Sequence, residues 1–323
     1  MGQAGPVTSR DATTPRSAPP PGAVPLIPAA AFVLVWSSGY IAGPAGVAVV
    51  EPFTLLTLRF ALAALLLAPL AWWLRGPMRM TRDEVVRVGA VGLVLNAVQF
   101  GLMYVAFELG LGATLAALLH SLSPVLTVVL AGLLLGERLT RVQVLGFAAG
   151  VVGVLVVLGP DVDGAGGPVG LVLGVASLLA LSLGTLGQRW IHVSADPIWS
   201  ATVQCAVAAV PLGVVALAVE GTGGVDDPVL GLAAIGYIAG INSVVGLLLL
   251  GVLVRRGGAS AGASVFFLMP PVTAVLAWVA FGDTLGPRQV VGLALSVVGV
   301  AVATRAGRAR RAAATPRLEE PTA

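Results

Sequence analysis

Residues 122–157 read LSPVLTVVLAGLLLGERLTRVQVLGFAAGVVGVLVV, and residues 268–303 read LMPPVTAVLAWVAFGDTLGPRQVVGLALSVVGVAVA. A shift of 146 residues aligns the two stretches. Over the longer pair Gly112–Val157 and Gly258–Ala303, this shift makes 20 of 46 positions identical. The identical positions include a proline, a glycine that precedes an acidic residue, and a glutamine, which shared apolar composition alone does not explain. The pattern therefore indicates an internal duplication.

The composition places most of the chain in a lipid bilayer. Only 10% of the 323 residues are charged and 57% are hydrophobic, whereas ~25% are charged in a soluble globular domain. The mean hydropathy is +0.98, and runs of ~20 apolar residues span a bilayer. A soluble enzyme is excluded. A nucleic-acid partner is excluded as well, because the net charge is only +3 and the arginines are scattered among short loops.

Hydropathy predicts an all-α integral membrane protein with ten transmembrane helices. The expected spans are 26–49, 52–74, 86–107, 112–135, 141–158, 168–190, 197–219, 229–253, 258–281 and 287–304. The corresponding organisation is a disordered cytoplasmic tail at 1–24, a first five-helix repeat at 25–158, an external loop at 159–167, a second five-helix repeat at 168–304, and a basic cytoplasmic tail at 305–323.

The arginines test this count. With the N-terminus in the cytoplasm, sixteen of the eighteen arginines fall in inside segments, Arg288 falls outside, and Arg59 falls within the membrane. This agrees with the positive-inside rule, and one helix more or fewer would destroy the pattern. We therefore expect a multi-pass protein of the cell's inner membrane with both termini cytoplasmic. Because five is an odd number, the second repeat enters from the opposite side, so an inverted-topology repeat is predicted.

Several chemistries are excluded by residues that the chain lacks. Lysine is absent, so neither a P-loop nor a Schiff-base enzyme fits. His120, His192 and the single Cys205 are too few for a His/Cys zinc site. We expect no metal, no cofactor and no catalytic residues.

The sequence resembles the EamA-type permeases of the drug/metabolite transporter superfamily over about residues 25–304. The motifs that carry the resemblance are Trp36-Ser37-Ser38-Gly39-Tyr40, Glu51-Pro52-Phe53-Thr54 with Leu58-Arg59-Phe60, Leu122-Ser123-Pro124 through Leu135-Gly136-Glu137-Arg138-Leu139-Thr140, and the echo of the last motif from Pro270 to Leu285. The resemblance implies ten helices in an inverted repeat, a central cavity lined by helices 1–4 and 6–9, and movement of small metabolites or drugs, in many relatives outward.

Arg59 is the first candidate for binding a solute. It lies seven residues into the second helix, about 10 Å deep at 1.5 Å per residue. A buried guanidinium is costly in a bilayer and requires a wet cavity or a partner. It could hold a substrate carboxylate, or it could be a structural arginine that reaches the surface or helix-end carbonyls.

His120 is the candidate for proton coupling. It lies at nearly the depth of Arg59, and histidine titrates near neutral pH. The alternative is a neutral histidine that a neighbouring hydroxyl or carbonyl satisfies. Phe266 occupies this position in the second repeat.

Further polar and aromatic residues complete the expected substrate-binding set. Asn96 and Gln99 are spaced i, i+3 and should share an inward face of the third helix, although interhelical hydrogen bonding would also explain them. The other expected members are Trp36, Tyr40, Ser123 and Asn242.

The helices that carry Pro124 and the pair Pro270-Pro271 are expected to be broken. Each proline removes a backbone donor and frees a carbonyl. Broken helices at matching places in two repeats indicate a binding site, although simple kinks are the alternative.

Glycine pairs in the fifth and tenth helices allow close approach of backbones. They are Gly146-x-x-x-Gly150 and Gly292-x-x-x-Ser296. Packing within the chain is the default interpretation, and a homodimer face is the alternative.

These observations predict a secondary transporter that exports a small metabolite, amino-acid-like solute or drug by alternating access, with proton coupling as a further hypothesis. The alternative is a membrane scaffold that carries nothing, or a membrane-embedded enzyme. The expected partners are the small solute and the lipid bilayer.

Overall fold

The computed structural model describes residues 26–136, 140–160, 165–188, 191, 196–253 and 265–314, with the backbone alone from residue 306 onward. Within these residues the chain is almost entirely helical. The helices are α1 Leu26–Val47, α2 Pro52–Arg75, α3 Arg82–Glu108, α4 Ala113–Leu135, α5 Arg141–Leu158, α6 Gly167–Gly187, α7 Pro197–Glu220, α8 Pro228–Leu253, α9 Phe266–Phe281 and α10 Pro287–Ala314. The all-α membrane fold predicted from the sequence is confirmed.

Nine of the described helices are long and apolar enough to cross a bilayer, and α9 is a shorter apolar helix. The expected start of the ninth span, at residue 258, lies outside the described residues. So do Glu137, Arg138, Leu139 and several of the arginines that oriented the chain. The last expected span, 287–304, agrees with the apolar span Pro287–Arg305, and helix α10 continues beyond this span to Ala314. Alanine and arginine, which dominate this extension, are both good helix formers.

Polar residues at the start of four helices bind their free N–H groups. Thr81 and Thr140 form capping boxes at α3 and α5, and Asp196 and Asp227 cap α7 and α8 through their side-chain oxygens. Thr81 and Asp227 are equivalent by the 146-residue shift. Helices α3 and α8 therefore begin with a side-chain cap at corresponding places in the two halves.

Helices α5 and α10 run antiparallel in close contact along their glycines. A Cβ atom on Gly146 would lie 2.5 Å from the carbonyl oxygen of Gly299, and one on Gly153 would lie 2.6 Å from that of Gly292. The 146-residue shift maps each of these contacts onto the other. Such reciprocity is what a two-fold axis perpendicular to the helices produces, and it is compatible with an inverted repeat.

The same reciprocity relates other helix pairs. Helix α1 packs on α9 as α6 packs on α4, and α2 packs on α8 as α7 packs on α3. At the first of these pairs Ser37 donates to the carbonyl of Met269 at 3.4 Å, and Ser182 donates to the carbonyl of Ser123 at 3.5 Å. These two bonds are equivalent, since shifts of 145 and 146 residues relate their ends.

Helices α2 and α7 pack together, and polar contacts join them at each end of the pair. Arg75, the last residue of α2, forms a 3.0 Å ion pair with Asp196, the N-cap of α7. Glu220, the last residue of α7, accepts hydrogen bonds from the backbone N–H groups of Phe53 and Thr54 at 2.7 and 2.8 Å. We call the end that holds the α1–α2 loop the α1–α2 side, and the opposite end the α2–α3 side.

Candidate solute-binding site

Arg59 lies within the helix bundle, toward the α1–α2 side, and is only 6% exposed. Its Nη1 donates to the hydroxyl of Tyr104 at 3.0 Å, and its Nε donates to the hydroxyl of Ser243 at 3.4 Å. Helices α2, α3 and α8 therefore meet at this guanidinium, and both of its protein hydrogen bonds go to neutral groups.

Aromatic rings cover much of the Arg59 guanidinium. Its central carbon lies 4.2 Å from the ring centroid of Phe100, 5.0 Å from that of Phe60 and 5.9 Å from that of Tyr104. These rings offer cation–π attraction but no countercharge. No carboxylate of the described residues forms an ion pair with Arg59, and its Nη2 has no hydrogen-bond partner there. Because buried charges are normally paired, the site has a deficit of one anion.

A second polar group surrounds His120. The hydroxyl of Tyr40 lies 2.9 Å from Nδ1, and the hydroxyl of Ser177 lies 3.1 Å from Nε2. Ser177 also donates to the carbonyl of Gln99 at 2.9 Å and accepts from the Gln99 side chain at 3.3 Å. Helices α1, α3, α4 and α6 thus converge on one hydrogen-bonded network.

Counting donors places a proton on one ring nitrogen of His120. The single hydroxyl proton of Ser177 goes to the Gln99 carbonyl, so Ser177 accepts from Nε2 of His120. A neutral ring then accepts the proton of the Tyr40 hydroxyl at Nδ1, whereas a charged ring would donate from Nδ1 to the same hydroxyl. Both ring nitrogens therefore have a partner in either state.

The equivalent place in the second half is aromatic. Phe266 stands where the repeat places His120, and Phe32 stands where it places Ser177. The rings of Phe32 and Phe266 lie 5.6 Å apart edge to face, and Trp36 contacts both. Trp36 therefore packs in an aromatic cluster toward the α2–α3 side, and its side chain also reaches the hydroxyl of Tyr40 in the polar network.

Asn242 joins α8 to α1. Its side-chain amide donates to the carbonyl of Val35 and, at 3.3 Å, to the hydroxyl of Ser38, which also accepts from Tyr237 at 2.9 Å. Asn242 is 8% exposed. It therefore ties two helices together and makes no contact with the Arg59 or His120 groups in this structure.

Asn96 does not join Gln99. The structure buries Gln99 in the His120 network, whereas Asn96 is half-buried and forms no hydrogen bond within the described part of the chain. A π-helical segment, Leu93–Val98, includes Asn96. Such a segment changes the rotation of the helix between the two residues, and the common inward face of Asn96 and Gln99 stays a prediction.

Both proline-bearing helices depart from regular α-helix just before their prolines. Helix α4 is interrupted at Leu122, just before Pro124, and α9 begins with a 3₁₀ turn, Phe266–Leu268, before Pro270 and Pro271. Ser123 accepts at its hydroxyl from Ser182 at 3.2 Å. The serines of α1 and α6 thus support both breaks, a role that the matching of Ser37 with Ser182 in the repeat could have indicated.

The glycine stripes of α5 and α10 are occupied within the chain. Gly146, Gly153 and Gly292 face each other's helices at distances that admit no side chain. This part of the surface is therefore unavailable for a homodimer. Among the described residues, no group of three His, Cys, Asp or Glu side chains is placed to hold a metal ion.

A helical membrane fold with a buried cation, polar networks and broken helices at the bundle interior defines the class of a multi-pass membrane transporter. Residues 24–159 and 168–305 match the EamA-like transporter family, and the chain belongs to this family. The two matched segments coincide with the two halves described above, and the resemblance seen in the sequence is confirmed.

Curated relatives carry names of the same kind. A "Probable amino-acid metabolite efflux pump" of Salmonella typhimurium is 25% identical over 87% of this chain and 95% of its own length. A "Probable terminal-alkyne amino-acid exporter" of Streptantibioticus cattleyicolor is 29% identical over 88% of this chain and 95% of its own length. A Bacillus subtilis relative, 28% identical over 76% of this chain and 82% of its own length, is named "Uncharacterized transporter YyaM". These are transporters and not enzymes.

A solved structure titled "Crystal structure of protein" has the same fold. Its TM-score is 0.62 at 23% identity, and the match covers 88% of this chain and 97% of that one.

Proposed function

We propose that this protein exports an amino-acid-like solute that carries a carboxylate, by alternating access, across the cell's inner membrane with both chain termini in the cytoplasm. The observation that supports the proposal most directly is Arg59, a buried cation without an anionic partner among the described residues. A carboxylate would supply the missing charge and accept from Nη2. The names of the relatives supply the direction and the solute class.

Arg59 also lies where a carried solute could reach it. Its hydrogen bonds hold it between α3 and α8, one helix from each half. In transporters built from repeats, the solute binds between the halves. A carboxylate that pairs with Arg59 would therefore contact both halves, and it could favour one arrangement of them over the other.

The test compares three forms of one apolar amino acid in proteoliposomes: the free acid, its N-acetylated acid and the uncharged N-acetyl amide. Arg59→Gln should reduce flux of the two acids about tenfold, because a charge-assisted hydrogen bond is lost, and should leave the amide unchanged. Gln204→Leu is the matched control, since Gln204 occupies the equivalent position in the second half without a charge. Equal loss for acids and amide would make Arg59 a structural residue.

Proton coupling through His120 is a separate hypothesis. Its neighbours in the network are the titratable Tyr40 and the uncharged Ser177 and Gln99, so a second proton on the ring would require Tyr40 to turn from donor to acceptor. His120→Gln keeps hydrogen-bonding capacity but cannot titrate. If the pH dependence of flux is the same in this variant, coupling does not pass through His120.

A further inference from the structure

Two asparagines occupy the same position in the two halves, and the structure treats them differently. Asn96 and Asn242 are related by the 146-residue shift, and both lie in π-helical segments, Leu93–Val98 in α3 and Ile238–Val245 in α8. Asn242 binds α1, whereas Asn96 forms no hydrogen bond with any described residue. The pair is therefore an asymmetric element within a symmetric frame.

The bonded arrangement, which we call the Asn242 latch, consists of Val35, Ser38, Tyr237 and Asn242. Ser38 donates to the Val35 carbonyl at 2.7 Å and accepts from both Tyr237 and Asn242. Gly39 makes the contact possible, since a Cβ atom there would lie 3.1 Å from the Asn242 amide nitrogen. Helix α8 is thus held against α1 by hydrogen bonds from the Asn242 amide nitrogen and the Tyr237 hydroxyl, while the side-chain oxygen of Asn242 is buried without a partner among the described residues.

The first half has the receiving surface for an equivalent bond. Gly184 stands in α6 where Gly39 stands in α1, and α3 already approaches it, but with Leu95 in place of Asn96. A Cβ atom on Gly184 would lie 2.8 Å from the Leu95 side chain. The difference between the two interfaces is therefore one residue in helix register.

We attribute the one-residue difference in helix register to the π-helical segments. The segment in α8 corresponds to residues 92–99 in the first half, so it is longer than the α3 segment by one residue at each end. A π segment contains an extra residue per turn, and its extension or contraction rotates the side chains beside it. Lengthening the α3 segment would turn Asn96 toward α6, where the carbonyl of Ala180 stands in the place of the Val35 carbonyl.

We propose that Asn242 and Asn96 are the two positions of one conformational latch, closed alternately in the two transport states. A two-fold axis in the membrane plane exchanges the two sides of the bilayer, so giving each half the conformation of the other converts a state open to one side into a state open to the other. In the opposite state, Asn96 binds the Ala180 carbonyl and Asn242 releases Val35. The inference rests on alternating access as proposed above.

The residues around the latch also favour one of the two proposed transport states over the other. Ser38 and Tyr237 have Leu183 and Val91 at the equivalent places in the first half, and these cannot form the accompanying bonds. The conformation described here is therefore favoured, and the opposite state retains only the bond from Asn96.

The test measures distances between spin labels in the full chain, reconstituted with Cys205→Ser as background. One labelled pair is Ile27 with Leu232, across α1 and α8. The other is Val172 with Val86, across α6 and α3. The two pairs are equivalent by the shifts of 145 and 146 residues, and all four side chains are exposed. Each pair should show one highly populated distance and one less populated distance. If the two halves exchange conformations between the transport states, the less populated distance of each pair must equal the highly populated distance of the other pair.

The two asparagine variants should act in opposite directions. Asn242→Leu should raise the population of the less populated distance in each labelled pair about threefold or more, as expected for the loss of one interhelical hydrogen bond in a bilayer. Asn96→Leu should lower this population. The double variant should return toward the parent ratio. Tyr237→Phe removes one latch bond with little change of shape, and a smaller shift in the direction of Asn242→Leu is expected, which keeps the test valid if Asn242→Leu does not fold.

Two results would overturn the latch: shifts of both single variants in the same direction, or unchanged distances in both and in Tyr237→Phe. Flux measured in the same vesicles separates this failure from that of the proposed function. Unchanged distances with solute flux intact remove the latch alone. Opposite shifts in a protein that carries none of the three amino-acid forms leave the latch and remove the proposed solute class.

Discussion

His120 and Phe266 occupy the same position in the two halves of the chain, yet one completes a hydrogen-bonded network and the other completes an aromatic cluster. His120 contacts Ser177, and Phe266 contacts Phe32, through equivalent helix pairs. At this pair of equivalent positions, hydrogen-bonding groups therefore lie toward the α1–α2 side and aromatic rings toward the α2–α3 side. A symmetric frame thus carries chemically different side chains at equivalent places.

Replacing His120 with phenylalanine should destabilise the protein, although phenylalanine is accommodated at the equivalent position. The variant leaves the Tyr40 hydroxyl without its His120 partner, whereas Ser177 keeps its bonds to Gln99, and an unsatisfied polar group in the interior costs ~1–3 kcal/mol. Thermal unfolding in detergent checks this. Adding Tyr40→Phe to His120→Phe should cost less than the sum of the single changes, because the unsatisfied hydroxyl is removed. Strict additivity would contradict the network.

Tyr104→Phe isolates the contribution of one hydroxyl to the Arg59 site. The ring stays against the guanidinium, but the 3.0 Å hydrogen bond to Nη1 is lost. We expect a rise in KM for a carboxylate solute of about threefold to tenfold, and a loss of stability of ~1–3 kcal/mol because Nη1 loses its partner. Flux in proteoliposomes measures the first quantity and thermal unfolding the second. An unchanged KM would show that Tyr104 does not orient Arg59 for the solute.

Gly153→Ala should damage the α5–α10 contact severely for so small a change. The added methyl would lie 2.5 Å from the backbone nitrogen of Ser296, and overpacking of this kind costs ~1–3 kcal/mol. Gly236→Ala in α8 is the matched control, since no atom lies within 4 Å of its Cβ position. There the alanine should be neutral or stabilising. The comparison is made by thermal unfolding, and equal effects at both sites would refute the close contact.

The stabilising effects of the two polar contacts between α2 and α7 should depend differently on salt concentration. The ion pair of Arg75 with Asp196 is partly exposed, with side chains 41% and 26% accessible, so it contributes at most ~1 kcal/mol and is screened. Glu220 instead satisfies two free N–H groups of α2. Glu220→Gln should therefore cost more than Arg75→Gln at high salt. Melting temperatures at low and high ionic strength test this, and identical salt dependence would contradict it.

The sequence predicted the helices well because their signals are strong and local. Apolar runs, threonine and aspartate caps, and glycines before the loops fix most helix ends within a few residues. The placement of Arg59, Gln99 and His120 in the bundle interior also followed from the sequence, since polar groups facing lipid would be unsatisfied. Whether any of them binds a solute stays a prediction.

Other features had no local signal. The π-helical segments of α3 and α8 are not encoded by any recognisable residue pattern, so the different hydrogen bonding of Asn96 and Gln99 could not be predicted. Ser177 and Tyr104 were missed because a serine or tyrosine in an apolar helix is unremarkable until its partner across the bundle is known. Hydropathy placed the end of the last span correctly, but it gave no signal for the helical extension to Ala314, because hydropathy reports where lipid ends and not where a helix ends.

The seam between α5 and α10 has a property that the latch interfaces lack. Exchanging the halves maps Gly146 against Gly299 onto Gly292 against Gly153, so these contacts look the same before and after the exchange. No contact between α5 and α10 has to break when the halves exchange conformations. The α5–α10 pair can therefore stay fixed while other helices move, and a covalent cross-link between these two helices should leave the rate of solute transport unchanged.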